Sequence, residues 1–162
     1  VLLMETLLKL LKQNSRLSNA QLAAMTGTTE NEVAAKIEEL ENSGIIKGYS
    51  VILDEDKADK DVVTAIIELK VTPQADVGFD EISRKIVAYE EVTSLTLMSG
   101  GYDLAVTVTC ADLKEVALFV SQKLSAIEGI LSTTTHFILK RYKEKGFLIS
   151  EGETDEREFV SP

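Results

Sequence analysis

A short stretch near the start of the chain has the spacing of two helices joined by a tight turn. Residues 21–33 read QLAAMTGTTENEV, with a small residue at Ala23, a glycine at Gly27 and a branched apolar residue at Val33. Two helices that cross steeply need little bulk where their backbones meet, a glycine that can take positive φ in the turn, and an apolar anchor from the second helix. This spacing predicts a helix-turn-helix.

The residues around this stretch extend the prediction to a three-helix unit. Leucines at helical spacing predict a first helix over residues 2–14. Ser18 is a favourable N-cap for a second helix that runs through Met25. Thr29 is a favourable N-cap for a third helix, and Gly44 is expected to end it.

A strand and a polar linker are predicted to follow the three helices. Residues 45–53 read IIKGYSVIL, which has the composition of a strand, so the helix-turn-helix is predicted to be of the winged type. Residues 54–60 read DEDKADK, a polar run that marks a domain boundary. We therefore predict a helix-turn-helix domain over residues 1–53 and a linker over residues 54–60.

Beyond the linker the apolar pattern predicts alternating strands and helices. Strands are expected over residues 62–71, 92–98, 102–109 and 131–142, and helices over residues 79–89 and 113–127. The order β-α-β-β-α-β predicts a ferredoxin-like domain over residues 61–143, in which two helices cover one face of a four-stranded antiparallel sheet. The chain is thus predicted to be α+β.

Two further predictions concern the uncovered face of that sheet and the last residues of the chain. Alternate positions of LTLM, LAVTV and FIL are predicted to make the uncovered face apolar, as a dimer contact would require. Residues 144–162 are assigned to an acidic tail, and its last part, EGETDEREFVSP over residues 151–162, is expected to be a solvated terminus. The alternative is an arm that docks Phe159 and Val160 on a neighbouring subunit.

Composition narrows the class of protein. No apolar run approaches the roughly 20 residues that span a bilayer, and the start of the chain shows no basic leader, so we expect a cytoplasmic protein without a membrane partner. Cys110, in the alternating run LAVTVTC, is predicted to be a buried strand residue. His136, the single histidine, is predicted to be an ordinary strand residue. The sequence has no metal-ligand spacing, phosphate loop or nucleophile motif, so no metal, cofactor or catalytic residue is expected.

The order of these motifs resembles the Lrp/AsnC family, named after the leucine-responsive regulatory protein and the asparagine regulator. NSRLSNAQLA and KIEELENSGIIKGY are similar to the motifs of its helix-turn-helix domain. GGYDL and GILSTTTHFILKRYK are similar to its regulation of amino-acid metabolism (RAM) domain. The resemblance implies a transcriptional regulator that dimerises through the RAM sheets, assembles into tetramers or octamers, and binds an amino-acid effector between RAM domains.

The third helix departs from the family pattern because it is acidic. Residues 1–53 carry five Lys and Arg residues against six Glu residues, so the predicted DNA-binding domain has no strongly basic surface. Thr28, Thr29, Asn31 and Glu32 are nevertheless predicted to meet the DNA, since Asn can pair with adenine and Glu can accept from the cytosine amino group. The predicted phosphate contacts are Lys12, Arg16, Lys36 and Lys47.

A second candidate site is predicted at the glycine-rich hairpin. The backbone N–H groups of Gly100 and Gly101 could hold a carboxylate, and Asp103 could accept from an ammonium group, which together suit a free amino acid. Met98 is expected to pack against the effector side chain, beside Tyr102. By the resemblance, Thr133 and Thr135 line the same site.

Two rival functions remain open at this point. An enzyme is disfavoured because the sequence has no metal-ligand spacing, phosphate loop or nucleophile motif. The other rival is an effector-sensing oligomer whose helix-turn-helix has become a protein-interaction module with weak or lost DNA binding. Its motivation is the acidic third helix.

Overall fold

The computed structural model describes residues 1–58, 61–73 and 78–150. The chain divides into two compact units, Val1–Ile52 and the remainder from Leu53 onward. The first unit contains three helices and the second a four-stranded sheet with helices.

The first unit is the predicted helix-turn-helix. Its helices are α1 (Leu2–Gln13), α2 (Asn19–Thr26) and α3 (Glu30–Asn42). Leu7, Leu22 and Val33 are fully buried where the three helices meet, and Ala23 lies with them. Gly27 has a φ of 70°, so the turn between α2 and α3 uses the left-handed conformation that the glycine was predicted to supply.

Local hydrogen bonds delimit α2 and α3 at the predicted residues. The Ser18 hydroxyl accepts from the backbone N–H of Gln21, whose side chain accepts in return from the Ser18 N–H. At the end of α3, Gly44 has a φ of 73° and its N–H donates to the Glu41 carbonyl. These bonds satisfy helix-terminal groups that would otherwise lack partners.

The segment that was predicted to form a strand over residues 45–53 does not form one, and this prediction is wrong. A strand is stabilised by hydrogen bonds to a neighbouring strand, and the described first unit contains no other extended segment to pair with. The predicted linker is also not wholly irregular, because residues Glu55–Ala58 form a single helical turn, α4.

The second unit has the predicted ferredoxin-like order. Its main elements are β1 (Val63–Val71), α5 (Asp80–Val87), β2 (Val92–Leu97), β3 (Leu104–Cys110), α6 (Leu113–Leu118) and β4 (Ile130–Phe137). The strand order across the sheet is β2-β3-β1-β4, and all neighbours are antiparallel. Helix α6 continues as a π-helical segment, Phe119–Leu124.

The last long strand ends at Phe137, five residues before the predicted end at position 142. Phe137 pairs with Ala65, and the N–H of Ile138 donates to the Thr64 carbonyl. Because β1 begins at Val63, residues beyond Ile138 have no strand to pair with. The prediction overlooked the length of the neighbouring strand.

The predicted tail begins within a small hairpin. Strands β5 (Lys143–Glu144) and β6 (Phe147–Leu148) pair antiparallel, so the segment assigned to the tail from residue 144 begins within regular structure. The turn between them has φ of 46° at Lys145 and 90° at Gly146. Residues 151–162, with Phe159 and Val160, lie outside the described residues.

One face of the sheet is covered by the helices and carries the core of the second unit. Ile67 and Leu69 of β1 are fully buried, as is Val106 of β3. Ile82 and Ile86 of α5 are buried with them. The thiol of Cys110 is also buried, as predicted, and burial raises its pKa, with the nearby Glu91 carboxylate adding to the effect.

The other face, here called the open face, is polar, and the prediction that it is apolar is wrong. Strand pairing places these residues on it: Thr64, Ile66, Glu68, Lys70, Ser94, Thr96, Ala105, Thr107, Thr109, Ser132, Thr134 and His136. Only two of them are apolar. The alternate apolar residues of these strands do exist, but the register places them on the covered face: Leu95, Leu97, Leu104, Val106, Val108 and Phe137.

Candidate functional site

The first turn of α3 is organised by a reciprocal cap between Thr29 and Glu32. The Glu32 carboxylate accepts from the Thr29 N–H at 2.9 Å and from its hydroxyl at 3.0 Å, while the Thr29 hydroxyl accepts from the Glu32 N–H at 3.3 Å. Hydrogen bonds from the backbone and then the side chain of Thr29 lower the pKa of Glu32. Both side chains were predicted to contact DNA, and the structure gives each a capping role.

Thr28 is also engaged, whereas Asn31 is exposed. The Thr26 hydroxyl lies 2.7 Å from the Leu22 carbonyl, to which it donates, so the Thr28 hydroxyl, 2.9 Å away, can donate to it. The Asn31 amide has no hydrogen-bond partner within the described ranges. It is therefore the polar side chain of the predicted set that is available to read a base.

The predicted phosphate contacts differ in availability. Lys36 pairs with Glu39, with Nζ and Oε2 2.5 Å apart, so part of its charge is compensated. Gly44 follows the carboxyl end of α3, and a Cβ added to it would lie 2.9 Å from Nζ of Lys47. The Lys47 ammonium is therefore close to the carboxyl end of this helix. Lys12 and Arg16 are exposed on either side of the turn that follows α1. Of this set, these two are the freest cations.

The glycine-rich segment forms the predicted tight connection between β2 and β3. The Met98 N–H donates to the Asp103 carbonyl at 2.7 Å, and the Asp103 N–H donates to the Leu69 carbonyl at 2.9 Å. Gly100 has a φ of 139°, and a Cβ added at Gly100 or Gly101 would meet nothing within 4 Å. The tip of the hairpin is therefore open to a ligand.

Asp103 has a structural contact that the sequence did not reveal. Its Oδ2 accepts from the Val71 N–H at 2.9 Å, where the register between β1 and β4 shifts. Oδ1 has no hydrogen bond in the described part of the chain. One carboxylate oxygen thus ties the hairpin to the end of β1, and the other is free to meet an ammonium group.

The two threonines of the last strand do not join the hairpin within one chain. Thr133 pairs with Leu69 and Thr135 with Ile67, so both threonines lie on the covered side of β4. Strand β1 separates them from the β2–β3 hairpin, a gap of two strand spacings, or about 10 Å. The structure places Met98 opposite Asp103 at the hairpin, with Tyr102 next to Asp103 in the chain, and leaves the threonines apart.

Two features of the site region were not predicted from the sequence. The Val71 N–H at the register shift and the pair between Glu68 and His136 both depend on which residues of different strands lie side by side. No local sequence signal marks either of them.

Neither a metal-binding cluster nor a membrane-spanning helix is found in residues 1–58, 61–73 and 78–150. No group of three or more His, Cys, Asp or Glu side chains there could hold a metal ion. No helix in those ranges has the length and apolar character needed to cross a membrane.

Comparisons with known domains agree with both halves of the fold. A family model described as Lrp/AsnC ligand binding domain matches residues 64–147. A model described as winged helix-turn-helix DNA-binding matches residues 5–47. The chain therefore belongs to the class of transcriptional regulators that join a helix-turn-helix DNA-binding domain to a ligand-binding domain.

Whole-chain relatives are consistent with this class. The HTH-type transcriptional regulator YugG of Bacillus subtilis (strain 168) is 45% identical over 157 residues, which cover 96% of this chain and 95% of that protein. The leucine-responsive regulatory protein of Haemophilus influenzae is 27% identical over 139 residues, covering 86% of this chain and 83% of that protein. The chain belongs to the Lrp/AsnC family.

Solved structures show the same fold. The crystal structure of PH0061 has a TM-score of 0.77 and 28% identity, covering 88% of this chain and 94% of that one. The transcriptional regulator NMB0573 of Neisseria meningitidis, solved as a complex with L-Met, has a TM-score of 0.70 and 21% identity, covering 88% of this chain and 91% of that one.

Proposed function

We propose that this protein binds specific DNA sites as a homo-oligomer and that an amino acid bound at the β2–β3 hairpin controls this binding. One observation carries the proposal: the same chain contains an exposed α3 surface and an open glycine hairpin. Beside that hairpin, one oxygen of the Asp103 carboxylate accepts a hydrogen bond and the other oxygen has none among the described residues. The family membership and the ligand-binding domain over residues 64–147 support it.

Base reading is assigned to the exposed side of α3. Asn31 projects from the first turn of the helix, and its amide can pair with adenine in the major groove. Ala34 and Ala35 are exposed beside it and offer methyl groups for contact with thymine. The Glu32 charge does not exclude DNA binding, because it belongs to the cap of α3.

A pair of variants separates base reading from capping. Asn31→Ala is expected to weaken binding to the specific site at least about fivefold, with the unfolding midpoint unchanged. Thr29→Ala is expected to lower helix-turn-helix stability by about 1 kcal/mol through loss of the cap. Footprinting on DNA upstream of the protein's own gene, with thermal melts of both variants, measures the two effects. Unchanged site affinity in Asn31→Ala would rule out the base-reading role.

Phosphate binding is assigned to the exposed cations Lys12, Arg16 and Lys47. Three contacts from each of two subunits give a slope of log affinity against log salt of about −5. Lys36 contributes only if DNA displaces Glu39 from it. The slope is measured by fluorescence anisotropy between low and physiological salt.

The effector is proposed to be a free amino acid held at the hairpin. The N–H groups near Gly100 and Gly101 would meet its carboxylate, and Oδ1 of Asp103 would meet its ammonium group. Met98 is exposed and could pack against an apolar side chain. NMB0573, which has the same fold, was solved with L-Met, and this supports the ligand class. Thr133 and Thr135 would take part only if a neighbouring subunit brought them to the hairpin.

Two substitutions at Asp103 test this assignment. Asp103→Asn keeps an oxygen for the Val71 N–H but removes the charge, whereas Asp103→Ala removes both. If Asp103 binds the ammonium group, both variants should lose the thermal shift produced by the amino acid that stabilises the wild type. Retention of that shift in Asp103→Asn would show that the carboxylate only holds the hairpin. A screen of the twenty amino acids identifies the ligand.

A homodimer is proposed to form through the open faces of two sheets, and larger assemblies to form from it. The rival function is an effector-sensing interaction module, and the acidic α3 is the observation that favours it. Protection of regularly spaced half-sites in the footprint, about 34 Å apart or a multiple, supports the regulator. Binding that is only nonspecific and vanishes at modest salt supports the rival.

A further inference from the structure

The turn before α3 contains two linked hydroxyl groups whose donors and acceptors can be assigned. The Thr26 hydroxyl lies 2.7 Å from the Leu22 carbonyl oxygen and 3.4 Å from the Ala23 carbonyl oxygen. A carbonyl oxygen only accepts, so the one hydroxyl proton of Thr26 is directed at these two oxygens. The Thr28 hydroxyl lies 2.9 Å from that of Thr26. Because Thr26 has no second proton, Thr28 is the donor in this contact.

Thr28 therefore has no proton left to give to another partner. A threonine hydroxyl carries one proton and two lone pairs. The backbone N–H of Thr28 is committed as well, because it donates to the Ala23 carbonyl at 3.1 Å. Within residues 1–58, no group donates to the Thr28 hydroxyl oxygen, and the residue is only half-buried. Thr28 can thus accept a hydrogen bond from a partner but cannot donate one.

The neighbouring cap of α3 has no free hydroxyl proton either. The Thr29 hydroxyl donates to the Glu32 carboxylate at 3.0 Å and accepts from the Glu32 N–H at 3.3 Å. The carboxylate itself offers only acceptors. Of the four polar side chains at the start of α3, Asn31 is the one whose side-chain donors remain free. The other three present oxygen atoms that can only accept.

This arrangement decides which base edges the start of α3 can meet. In the major groove adenine presents its N6 amino group and cytosine its N4 amino group as donors, whereas guanine O6 and thymine O4 are acceptors. A hydroxyl that can only accept forms a hydrogen bond with an amino group and is repelled by a carbonyl oxygen. Phosphate oxygens are acceptors too, so this hydroxyl is poorly suited to a phosphate contact.

We propose that Thr28 reads one base of the DNA site by accepting a hydrogen bond from an exocyclic amino group, and that Thr26 is the positioning residue that makes Thr28 an acceptor. This inference rests on the DNA binding of the proposed function and adds to the base reading by Asn31. The base that Thr28 faces is then adenine or cytosine. Thr26 sets this preference without touching the DNA, because it takes up the Thr28 proton.

Base analogues test the acceptor role with the full chain. Selection from a random DNA pool first gives the preferred site. Each adenine of that site is then replaced by purine, which lacks the 6-amino group, and each cytosine by pyrimidin-2-one, which lacks the 4-amino group. One replacement in each half-site is expected to weaken wild-type binding about fivefold in fluorescence anisotropy and to leave Thr28→Val binding unchanged. Comparison with Thr28→Val cancels the effect of the analogue on the duplex itself. Thr28→Ser should respond like the wild type.

Thr26→Val separates positioning from a structural role. Without the Thr26 hydroxyl the Thr28 proton is free, so Thr28 can also donate to guanine O6 or thymine O4. The preference for the amino-bearing base at the identified position should fall from about fivefold to less than about twofold. Thr26→Ser should keep the wild-type preference. The matched control is Thr6→Val, which removes from α1 a hydroxyl that donates to the Leu2 carbonyl at 2.8 Å, and it should also keep the preference.

The outcomes separate this inference from the proposed function. If each loss of an amino group weakens wild-type and Thr28→Val binding equally, Thr28 does not read an amino group, and the inference fails while specific binding stands. A uniform loss of affinity in Thr26→Val, with unchanged base preference, overturns the positioning role. A wild-type chain that selects no site from the pool overturns the proposed function and this inference with it. Circular dichroism melts confirm that each variant is folded, and the comparison of wild type with Thr28→Val decides even if Thr26→Val is not.

Discussion

The two faces of the sheet are built from alternate residues of the same strands, yet their chemistry is opposite. In β1, Ile67 and Leu69 are fully buried under the helices, while Glu68 between them lies on the open face. In β3, Val106 is fully buried and its neighbour Thr107 lies on the open face. Because successive side chains point to opposite sides, one alternating pattern sets both surfaces.

This difference shows which face of the sheet stabilises the second unit. The covered face is apolar and holds the unit together by burial. The open face can remain in water without a large penalty, since its side chains are mostly polar. Substitutions on the covered face should therefore destabilise the fold much more than substitutions on the open face.

The largest expected effect comes from one substitution on each face at adjacent positions. Ile67→Ala should lower the free energy of unfolding of the second unit by about 3 kcal/mol, because it leaves a cavity under the helices. Ile66→Ala, the matched control on the open face, should change it by less than about 1 kcal/mol. Urea unfolding followed by circular dichroism measures both. Equal losses would contradict the assignment of the faces.

A smaller effect is expected at the edge of the covered face. Gly129 has a φ of 95°, and a Cβ there would lie 2.9 Å from the buried Cδ1 of Ile82. Gly129→Ala should therefore lower the free energy of unfolding by about 2 kcal/mol, through backbone strain and crowding. Gly101→Ala meets no atom within 4 Å and serves as the control in the same thermal melts.

The hydroxyl pair of the open face should contribute less. The Thr64 and Thr109 hydroxyls lie 3.3 Å apart across β1 and β3. Thr64→Val should cost about 0.5 kcal/mol, and the double variant Thr64→Val with Thr109→Val should cost no more than the single one, because neither hydroxyl is then left alone. A double-mutant cycle measures the coupling. Strictly additive losses would show that the two hydroxyls do not interact.

The smallest effect is expected from an ion pair beside the covered face and depends on pH. The hydrogen bond from Lys123 lowers the pKa of Glu91 from its ordinary value of 4.5. A carboxyl whose pKa is depressed on folding stabilises the fold above its ordinary pKa and loses that contribution as the pH falls. The stability difference between wild type and Glu91→Gln should thus be present at pH 7 and shrink below pH 4.5 in thermal melts. A difference that grows with acid would contradict it.

Several features could be read from the sequence because neighbouring residues determine them. The caps at Ser18 and Thr29 each use a side chain three residues away, and Gly27 and Gly44 take the left-handed conformation expected of them. Local hydrogen bonds of this kind require no knowledge of the rest of the chain. The same holds for the order of strands and helices in the second unit, which follows from the apolar period.

The site could be predicted only in part. The hairpin around Gly100 was recognisable because glycines in a short connection mark a turn. The sequence predicted that Asp103 accepts from an ammonium group, but it gave no sign that one carboxylate oxygen accepts from the Val71 N–H of another strand. The wrong prediction of a strand over residues 45–53 also reflects a contact that is distant in sequence. The segment has the composition of a strand, but a strand needs a neighbouring strand to pair with, and composition does not show whether one is present.

The sequence by itself determined the helix-turn-helix, the turn glycines, and the alternating pattern that makes a sheet with one buried face. Only the tertiary structure decided which face each residue joined, that Glu68 lies beside His136, and that Thr133 and Thr135 stand apart from the hairpin. The physical reason is range. Helix caps and apolar periodicity depend on residues a few positions apart. Strand register instead aligns strands that are far apart in the chain, and a shift of one residue moves every side chain of a strand to the opposite face of the sheet.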